Sequence, residues 1–266
     1  MGEKIRLDVL LVEQGKVSSR ERARALIMSG SVFLDGNRLL KPGTPVSSTA
    51  NPEVRQNPIP FVSRGGLKLE KALDVFQIDV RGRDCIDCGA STGGFTDCLL
   101  QRGARQVWAV DVGYGQLDWR LRQDDRVIVM ERTNVRYLKR SDLGGTPSLA
   151  VIDLSFISLN LVLPTVYHLL TATGEALCLV KPQFEAGKEQ VGKKGVVKDP
   201  AVHRWVLERF LEDAQGIGFG VLALDYSPVK GPQGNIEYLG YLKKDASSAA
   251  DLDVQTVVAE SHGNLD

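Results

Sequence analysis

The chain has 266 residues, of which 43% are hydrophobic and 25% are charged, and its formal net charge is zero. These values are ordinary for a soluble globular protein of one or two domains, and they exclude an overall basic charge that would by itself indicate a nucleic-acid partner. The charge is unevenly distributed, because residues 1–60 carry a net charge of +3 and residues 243–266 a net charge of −3. The basic excess lies at the N-terminal end, where a small RNA-binding module could use it.

Neither the cysteines nor the apolar segments indicate an exported or membrane protein. Four cysteines are too few for a disulfide framework, and Cys85 and Cys88 lie in a predicted buried strand with no second Cys/His pair to complete a metal site. We therefore expect no metal. The uncharged run of 20 residues, 154–173, contains polar residues and a proline and lacks basic flanks, so a strand end followed by a buried helix explains it better than a membrane span. No signal peptide is visible, and we expect a cytoplasmic protein without membrane contact.

The first sixty residues predict a small independent unit. A short helix is expected over 6–13, and a capping box of Ser18 and Glu21 opens a second helix that Gly30 closes. Two apolar runs then flank the turn at 35–37, which predicts a β-hairpin.

Two helices followed by a hairpin, with arginines on the second helix, resemble the S-four RNA-binding fold. We therefore predict that Arg6, Arg20, Arg22 and Arg24 contact RNA, because guanidinium groups suit phosphate recognition. The alternative interpretation of these arginines is a solvated helix face.

A proline-rich region at 42–60 predicts a hinge or linker, and strands alternate with helices after it. Alternation of this kind predicts a doubly wound, mostly parallel sheet. The last two strands have only a short turn between them and should pair antiparallel, which is typical of the seven-stranded, Rossmann-like class I methyltransferase fold. The predicted strands are 84–88, 106–111, 127–130, 148–153, 174–181, 219–226 and 235–242.

This pattern divides the chain into three predicted parts. They are a small α+β S-four-like domain with its linker (1–60), an α/β catalytic domain (61–245) and an acidic tail that could be disordered (246–266). The last helix of the catalytic domain is expected to begin after Asp199, with Pro200 in its first turn, and to end just before Gly216.

A glycine-rich turn follows the strand 84–88 and precedes a helix, which is a typical nucleotide-binding arrangement. Asp111 ends the next strand, 22 positions after Gly89, close to the spacing at which an acid binds ribose hydroxyls. The glycine spacing differs from the pyrophosphate-binding pattern, so S-adenosylmethionine fits better than a dinucleotide; a purely structural turn is the alternative. The predicted cofactor-binding residues are Asp87, Gly89, Ala90, Ser91, Thr92, Gly93, Gly94, Phe95, Thr96, Asp111, Val112, Thr133, Asn134, Val135 and Asp153.

Two lysines and two carboxylates are placed at one edge of the predicted sheet. Asp153 and Lys181 end two strands, Glu237 lies in the last strand, and Lys68 opens the first helix of the domain. Methyl transfer to a ribose hydroxyl needs an oriented oxygen that loses its proton, and a lysine can accept that proton if burial and a second cation lower its pKa. Taken singly, each residue could be structural; together they predict a catalytic set.

These four residues match the Lys-Asp-Lys-Glu tetrad of FtsJ-like ribose 2′-O-methyltransferases. The segments 89–95, 111–117, 153–159, 180–185 and 234–238 are similar to blocks of the TlyA family, in which an S-four module precedes such a domain. The resemblance spans about residues 5–243. It implies S-adenosylmethionine as donor and a cytidine ribose of ribosomal RNA as acceptor, in the large subunit and in some members also the small subunit.

Further residues are predicted to contact RNA near this site. Phe156 could stack on the target base or pack in the core, and the segment 183–198 predicts a mobile basic loop. The residues concerned are Arg64, Phe156, Lys188, Lys193 and Lys194.

Two alternatives belong to other functional classes. One is an RNA-binding ribosome assembly factor without turnover, against which the complete tetrad argues. The other is a membrane-active haemolysin, a name often attached to the family, against which the lack of a clean apolar span argues.

Overall fold

The computed structural model describes residues 4–28, 30–54 and 59–265. They form two compact units, one ending at Arg64 and the other beginning at Gly65.

In its described residues, the N-terminal unit contains two helices and five short strands. Strand β1 pairs antiparallel with β4, while β2 pairs antiparallel with β3 on one side and with β5 on the other. The elements are β1 (Lys4–Arg6), α1 (Leu7–Glu13), α2 (Arg20–Met28), β2 (Val32–Leu34), β3 (Asn37–Arg38), β4 (Pro45–Ser47) and β5 (Glu53–Val54).

The two helices of this unit pack around a small apolar core. Leu7, Leu10 and Leu11 of α1 are buried against Ala23 and Ile27 of α2. Their spacing of three and four positions places them on one helix face, as the sequence pattern predicts.

The start of α2 differs by one residue from the prediction. Ser19, and not Ser18, is the capping residue, because its Oγ accepts a hydrogen bond from the backbone N–H of Arg22 at 3.2 Å. The hairpin turn is as predicted, with Asp35 and Gly36 both at positive φ, the geometry that a two-residue hairpin requires.

The prediction of a hinge or linker over 42–60 is wrong for much of its length. Strands β4 and β5 lie within it and are hydrogen-bonded to β1 and β2. Strands of two or three residues with many prolines give no alternating pattern, which is why the sequence suggested a linker. Residues 55–58 lie outside the described part of the chain.

The second unit consists of one seven-stranded sheet with helices between most of its strands. Its elements are α3 (Gly65–Val75), β6 (Asp84–Cys88), α4 (Gly94–Gln101), β7 (Gln106–Val110), α5 (Trp119–Arg122), β8 (Val127–Met130), α6 (Arg140–Leu143), β9 (Leu149–Ile152), α7 (Leu163–Leu169), β10 (Glu175–Val180), α8 (Pro182–Glu185), α9 (Pro200–Ile217), β11 (Phe219–Tyr226), β12 (Tyr238–Lys244) and α10 (Val254–Leu265). Three 3₁₀ turns cover Val135–Tyr137, Leu159–Leu161 and Lys188–Gln190.

The strand order across this sheet is β11-β12-β10-β9-β6-β7-β8. Strands β6, β7, β8, β9 and β10 run parallel to one another, and β12 is antiparallel to both β10 and β11. The order reverses between β6 and β9, so the carboxyl ends of these two strands form the edge at which open α/β sheets bind ligands. The central strands are buried on both faces, which explains their nearly uninterrupted apolar sequences.

Helix α9 begins where the sequence predicts and ends two residues later than predicted. The Asp199 side chain accepts a hydrogen bond from the Ala201 N–H at 2.8 Å, and Pro200 occupies the first turn. Gly216 lies within the helix, and Gly218, with a φ of 111°, is the capping glycine. The last strand starts at Tyr238 and not at 235.

The acidic tail is largely ordered, which corrects the expectation of disorder. Residues 254–265 form α10, in which Val254, Val258 and Ser261 are buried and Val257 and Leu265 pack against the core of the sheet unit. These five positions recur at helical spacing, a signal that the net negative charge of the segment obscured. The last residue, Asp266, lies outside the described part.

All four cysteines are free and buried in the sheet unit, as expected for core residues. None of the helices in the described ranges combines the length and the apolar character that crossing a bilayer requires.

Candidate active site

The catalytic residues predicted from the sequence lie at one edge of the sheet. The register pairs Val180 of β10 with Tyr238 of β12, so Lys181 and Glu237, the next residues beyond that pair, lie at the same end of two adjacent strands. Asp153 follows β9, which runs parallel to β10 on its other side. The fold therefore brings Asp153 and Glu237, which are 84 positions apart in the chain, to one edge of the sheet.

Lys181 forms an ion pair with Asp153. Its Nζ lies 2.5 Å from an Asp153 carboxylate oxygen and 3.3 Å from the Ser155 Oγ. The lysine side chain is 8% exposed and that of Asp153 is 21% exposed, so this pair reaches the surface through its carboxylate.

Lys68 forms the second ion pair, with Glu237. Its Nζ lies 2.5 Å from the Glu237 carboxylate, which is 1% exposed. Gly231 belongs to the loop before β12 and lies against this carboxylate, since a Cβ at that position would approach it to 2.5 Å. Glu237 is thus enclosed, and of the two pairs the one formed by Lys181 and Asp153 is the more accessible.

Two lysine–carboxylate pairs with buried lysines form a polar site at one edge of the sheet. A buried ammonium group needs a partner charge, and each lysine has one. Such pairs can orient a hydroxyl group, and a lysine that gives up its proton there can act as a base.

The glycine turn after β6 has the tight backbone that the sequence predicts. Gly89 has a φ of 96°, and a Cβ there would lie 2.4 Å from the backbone oxygen of Asp153. Gly93, with a φ of 95°, leaves room for the side chains of Leu117 and Leu121. Part of the glycine requirement is therefore structural, while Ser91 and Thr92 at the tip of the turn are exposed.

Asp87 is completely buried at the end of β6. One carboxylate oxygen accepts a hydrogen bond from Thr96 Oγ1 at 2.7 Å, and the other has no partner among the described residues. Burial raises the pKa of this carboxyl to about 7; the Thr96 hydrogen bond opposes the shift and the charge of Asp153 adds to it. A buried acceptor without a donor is a candidate ligand-binding group.

Asp111 follows β7 and faces the glycine turn. Its carboxylate accepts hydrogen bonds from the backbone N–H groups of Ser91, at 2.8 Å, and Gly113, at 2.6 Å. The adjacent Val112 is 69% exposed. An acid beside an exposed apolar side chain can bind ribose hydroxyls and an adenine ring.

The other predicted cofactor-binding residues differ in exposure. Thr133 and Asn134 lie partly or fully at the surface, and the Asn134 side chain accepts a hydrogen bond from the Arg136 N–H. The remaining ones are buried in the fold: Ala90, Gly94, Phe95, Thr96 and Val135. These residues lie within the turn, the helix α4 that follows it and the 3₁₀ turn at Val135–Tyr137, and the Thr96 hydroxyl donates its hydrogen bond to Asp87.

Phe156 does not pack in the core, so of the two alternatives only an exposed role remains. Its side chain is 86% exposed and its φ is 63°, a strained conformation for an aromatic residue. The ring contacts Phe184, with centroids 5.0 Å apart.

Glu185 is a site residue that the sequence analysis did not assign. Its carboxylate accepts hydrogen bonds from the Ser158 hydroxyl and from the Leu159 N–H, the latter at 2.9 Å. Burial raises the pKa of Glu185. Because it connects the loop after β9 to the segment after β10, it fixes the strand ends that carry Asp153 and Lys181. The sequence signal that could have identified Glu185 is its position as an acid within the segment 180–185, which is similar to the TlyA family.

The predicted basic loop is anchored at its C-terminal end. Asn235 accepts a hydrogen bond from the Val197 N–H at 3.0 Å and donates one to the Gly195 oxygen at 2.9 Å. The ring Nε2 of His203 lies 3.0 Å from the Val197 oxygen, and since a carbonyl only accepts, this nitrogen is the donor. Four lysines of the segment are exposed: Lys188, Lys193, Lys194 and Lys198.

Among the predicted RNA-binding arginines of the N-terminal unit, three share one partner. Arg6, Arg20 and Arg24 surround the carboxylate of Asp8 and remain about half exposed, and the side chain of Arg22 is exposed as well. Arg64 is partly buried at the end of this unit.

The fold of the second unit is that of a class I methyltransferase. Its strand order, its antiparallel strand β12 and the glycine turn with acids at the carboxyl edge of the sheet are the features of this class. A solved structure from Listeria monocytogenes, described as a candidate S-adenosylmethionine-dependent methyltransferase, has the same fold, with a TM-score of 0.51 at 15% identity over 69% of this chain and all of that one. The sequence pattern of the FtsJ-like methyltransferase family matches residues 61–244, and that of the S4 domain matches residues 5–50. The chain belongs to the FtsJ-like methyltransferase family and carries an S4 domain, as the sequence analysis predicted.

Relatives and a solved structure agree with this assignment over nearly the whole chain. A Bacillus subtilis protein described as a candidate rRNA methyltransferase, YqxC, is 50% identical over 99% of this chain and 96% of its own length. The 16S/23S rRNA (cytidine-2′-O)-methyltransferase TlyA of Mycobacterium tuberculosis is 47% identical over 94% of this chain and 93% of its own. A solved structure from Streptococcus thermophilus, described as a candidate hemolysin, has a TM-score of 0.79 at 47% identity, covering 99% of this chain and 98% of that one.

Proposed function

We propose that this protein transfers a methyl group from S-adenosylmethionine to the 2′-hydroxyl of a cytidine in ribosomal RNA. The observation that carries the proposal is the pair of buried ion pairs, Lys181 with Asp153 and Lys68 with Glu237, at the carboxyl edge of the sheet. The rRNA acceptor is proposed from the names of relatives that this chain resembles over more than nine-tenths of its length. A ribosomal substrate would place the reaction in the cytoplasm.

The residues beside the pairs fit S-adenosylmethionine. Asp87 offers a buried oxygen without a donor, Asp111 has acceptor capacity left for ribose hydroxyls, and Val112 exposes an apolar surface for adenine. When bound, this cofactor supplies an electrophilic methyl group on a positively charged sulfur.

The ion pairs supply the remaining requirement, which is an oriented hydroxyl that can lose its proton. We assign the proton acceptor to Lys181, because it belongs to the more accessible of the two pairs. The transferred proton stays on Lys181 Nζ, where Asp153 stabilises the ammonium product. Lys68, held by the enclosed Glu237, remains a fixed positive charge beside the oxygen that becomes the attacking nucleophile.

Phe156 is proposed as the platform for the target base. An exposed aromatic ring in a strained backbone conformation is costly unless it has a function, and base stacking would use its open face. The exposed lysines of the loop 183–198, and Arg64, are proposed to contact RNA phosphates.

A transfer assay tests the proposed role of Lys181. Purified ribosomal subunits are incubated with tritium-labelled S-adenosylmethionine and either the wild-type protein, Lys181→Ala or Lys243→Ala. Lys243 is a half-exposed lysine of β12 whose Nζ is 3.9 Å from Glu175, and it serves as the matched control. We expect the loss of a general base to reduce labelling by about 10²- to 10⁴-fold in Lys181→Ala only. Equal labelling by both variants would refute the assignment.

A ribosome assembly factor without turnover is the second candidate, because an S4 domain can bind RNA without any chemistry. It predicts ribosome binding by wild type and by Lys181→Ala, and no methylated ribose in either. A membrane-active hemolysin is disfavoured by the buried polar site; leakage of liposomes caused by the purified protein would revive it.

A further inference from the structure

Asp8 in the N-terminal unit is an unusual residue for an RNA-binding surface. It is an acid, it is completely buried, and it lies in the first turn of α1. The three arginines around it are half exposed: 48% for Arg6, 55% for Arg20 and 53% for Arg24. A single anionic group thus lies beneath a surface of three cations.

The contacts show that the carboxylate holds all three guanidinium groups. Arg6 donates from Nε and Nη2 to the two oxygens, at 2.9 and 3.0 Å. Arg20 donates from Nη2 at 3.2 Å, and the Nε of Arg24 lies 3.5 Å from the same oxygen. Each guanidinium has five N–H donors in a planar fork, so donors remain on all three groups after these contacts.

This arrangement exceeds what a structural ion pair requires. One arginine neutralises one carboxylate, whereas this cluster keeps an excess of two positive charges at an exposed position. Three guanidiniums so close together repel one another unless an anion lies between them. The Arg6 hydrogen bonds, more than any other influence, lower the pKa of Asp8 to about 2, so the anion persists at neutral pH.

We propose that Asp8 is the positioning residue of a preformed phosphate-binding site, made by Arg6, Arg20 and Arg24, that takes a backbone phosphodiester of structured RNA. The inference rests on the proposed function in one respect, that the ligand is RNA. Planar forks held in place lose less conformational entropy on binding a phosphate than free arginines do.

The proposed site predicts a change in RNA affinity opposite to the change that net charge alone predicts. Replacing Asp8 by Asn makes the unit more positive, and charge alone would then strengthen RNA binding. Loss of the shared anchor would release the arginines and weaken it. The direction of the change therefore distinguishes a positioned site from a diffuse basic patch.

The test measures the binding of purified ribosomal RNA to the full-length chain by filter retention, at one fixed salt concentration. Asp8→Asn is compared with Asp35→Asn, which makes the same charge change at an exposed residue of the hairpin turn. We expect Asp8→Asn to weaken binding about five- to tenfold and Asp35→Asn to leave it equal or tighter. Binding by Asp8→Asn as tight as that of Asp35→Asn would overturn the proposal.

A second pair of variants keeps the net charge constant. It tests the proposal even if Asp8→Asn has a folding defect. Arg20→Lys removes a planar fork that Asp8 holds, while Arg38→Lys makes the same change on an exposed arginine of β3 in the same unit. We expect weaker binding for Arg20→Lys than for Arg38→Lys, with thermal melting used to verify that both variants are folded. Equal binding by the two would contradict the proposal.

The proposed function and the proposed phosphate site can be refuted separately. If the wild-type chain does not retain ribosomal RNA, the proposed RNA substrate is wrong. If the wild type binds and methylates ribosomal RNA while both variant pairs behave alike, only the positioned phosphate site is wrong.

Discussion

Among the described residues, two aspartates are completely buried, one in each unit, and their surroundings shift their pKa values in opposite directions. Asp8 lies among three arginines, and the hydrogen bonds from Arg6, followed by that from Arg20, lower its pKa to about 2. Asp87 has a threonine hydroxyl on one oxygen and no partner among the described residues on the other, and burial raises its pKa to about 7. Burial alone therefore does not decide the charge of a carboxyl group; its partners do.

The difference assigns the two residues different tasks. A carboxylate whose partners are all in the protein fixes those partners, which is how Asp8 holds a cationic surface in place. A carboxyl oxygen that has no partner among the described residues can accept a hydrogen bond from a ligand, and Asp87 precedes the glycine turn and has Asp111 as a neighbouring charge. The N-terminal unit thus presents charge outward, while the sheet edge keeps acceptor positions available.

The largest effect is expected from replacing Asp87 by Asn. The folded protein retains a proton on Asp87 up to about pH 7, whereas the unfolded chain releases it near the ordinary value of 3.8. Stability therefore decreases as the pH rises through this window, by up to about 4 kcal/mol at 1.4 kcal/mol per pKa unit. Asp87→Asn should remove this loss of stability at high pH. The variant should therefore have a higher melting temperature than wild type at pH 8 and the same melting temperature near pH 4.

Thermal melting of both proteins at these two pH values provides the measurement. The same substitution should weaken the binding of S-adenosylmethionine, measured by calorimetry. A variant that melts below wild type at pH 8 would show that Asp87 is stabilised as an anion and would remove the contrast with Asp8.

A second contrast concerns glycines at positive φ. A Cβ at Gly89 would meet the backbone oxygen of Asp153 at 2.4 Å, whereas a Cβ at Gly30 would meet the flexible Arg38 side chain at 3.0 Å. Both alanine variants carry about 1–2 kcal/mol of left-handed strain, and Gly89→Ala adds about 1–3 kcal/mol of overpacking. Urea unfolding should rank Gly89→Ala as the less stable; the reverse order would mean that the sheet edge can move.

Phe156→Ala separates function from stability at the sheet edge. Since the ring is 86% exposed, its removal should change unfolding by no more than about 0.5 kcal/mol. Loss of base stacking, worth about 1–3 kcal/mol, should lower methyl transfer by about 5- to 150-fold with unchanged cofactor binding. Phe156→Tyr is the control that retains a ring, and equal activity of the two variants would exclude stacking.

The smallest expected effect is the loss of stability of the N-terminal unit at low pH. The pKa of Asp8 is lowered in the folded chain, so its contribution to stability is complete above about pH 4 and is lost as the pH falls towards 2. Melting of wild type and Asp8→Asn at pH 6 and pH 3 checks the sign, since the difference between them should shrink in acid. A difference in melting temperature that is larger at pH 3 than at pH 6 would contradict the pairing of Asp8 with the arginines.

The sheet and most of the tetrad's placement could be predicted from the sequence, for a local reason. Asp153 and Lys181 directly end apolar runs, and parallel strands bring their carboxyl ends to one edge, so their proximity follows from topology. The same holds for Asp111 and its spacing from Gly89. These predictions used short apolar runs with the residues that directly follow them, and the spacing of 22 positions between Gly89 and Asp111.

What the sequence could not predict depends on contacts without a periodic pattern. The strands β4 and β5 have two or three residues, too few for alternation to be visible. The grouping of three arginines around Asp8 and the role of Glu185 depend on which side chains meet in three dimensions. The helix α10 was missed because its charge outweighed a regular apolar spacing.

The central claim is that the paired lysines and carboxylates of the sheet edge methylate a ribose. The most direct measurement is mass spectrometry of nucleosides from ribosomal RNA incubated with S-adenosylmethionine and the purified protein. The account predicts 2′-O-methylcytidine with the wild-type chain and none above background with Lys181→Ala. A methyl group on a base, or the same yield of 2′-O-methylcytidine from both proteins, would contradict it.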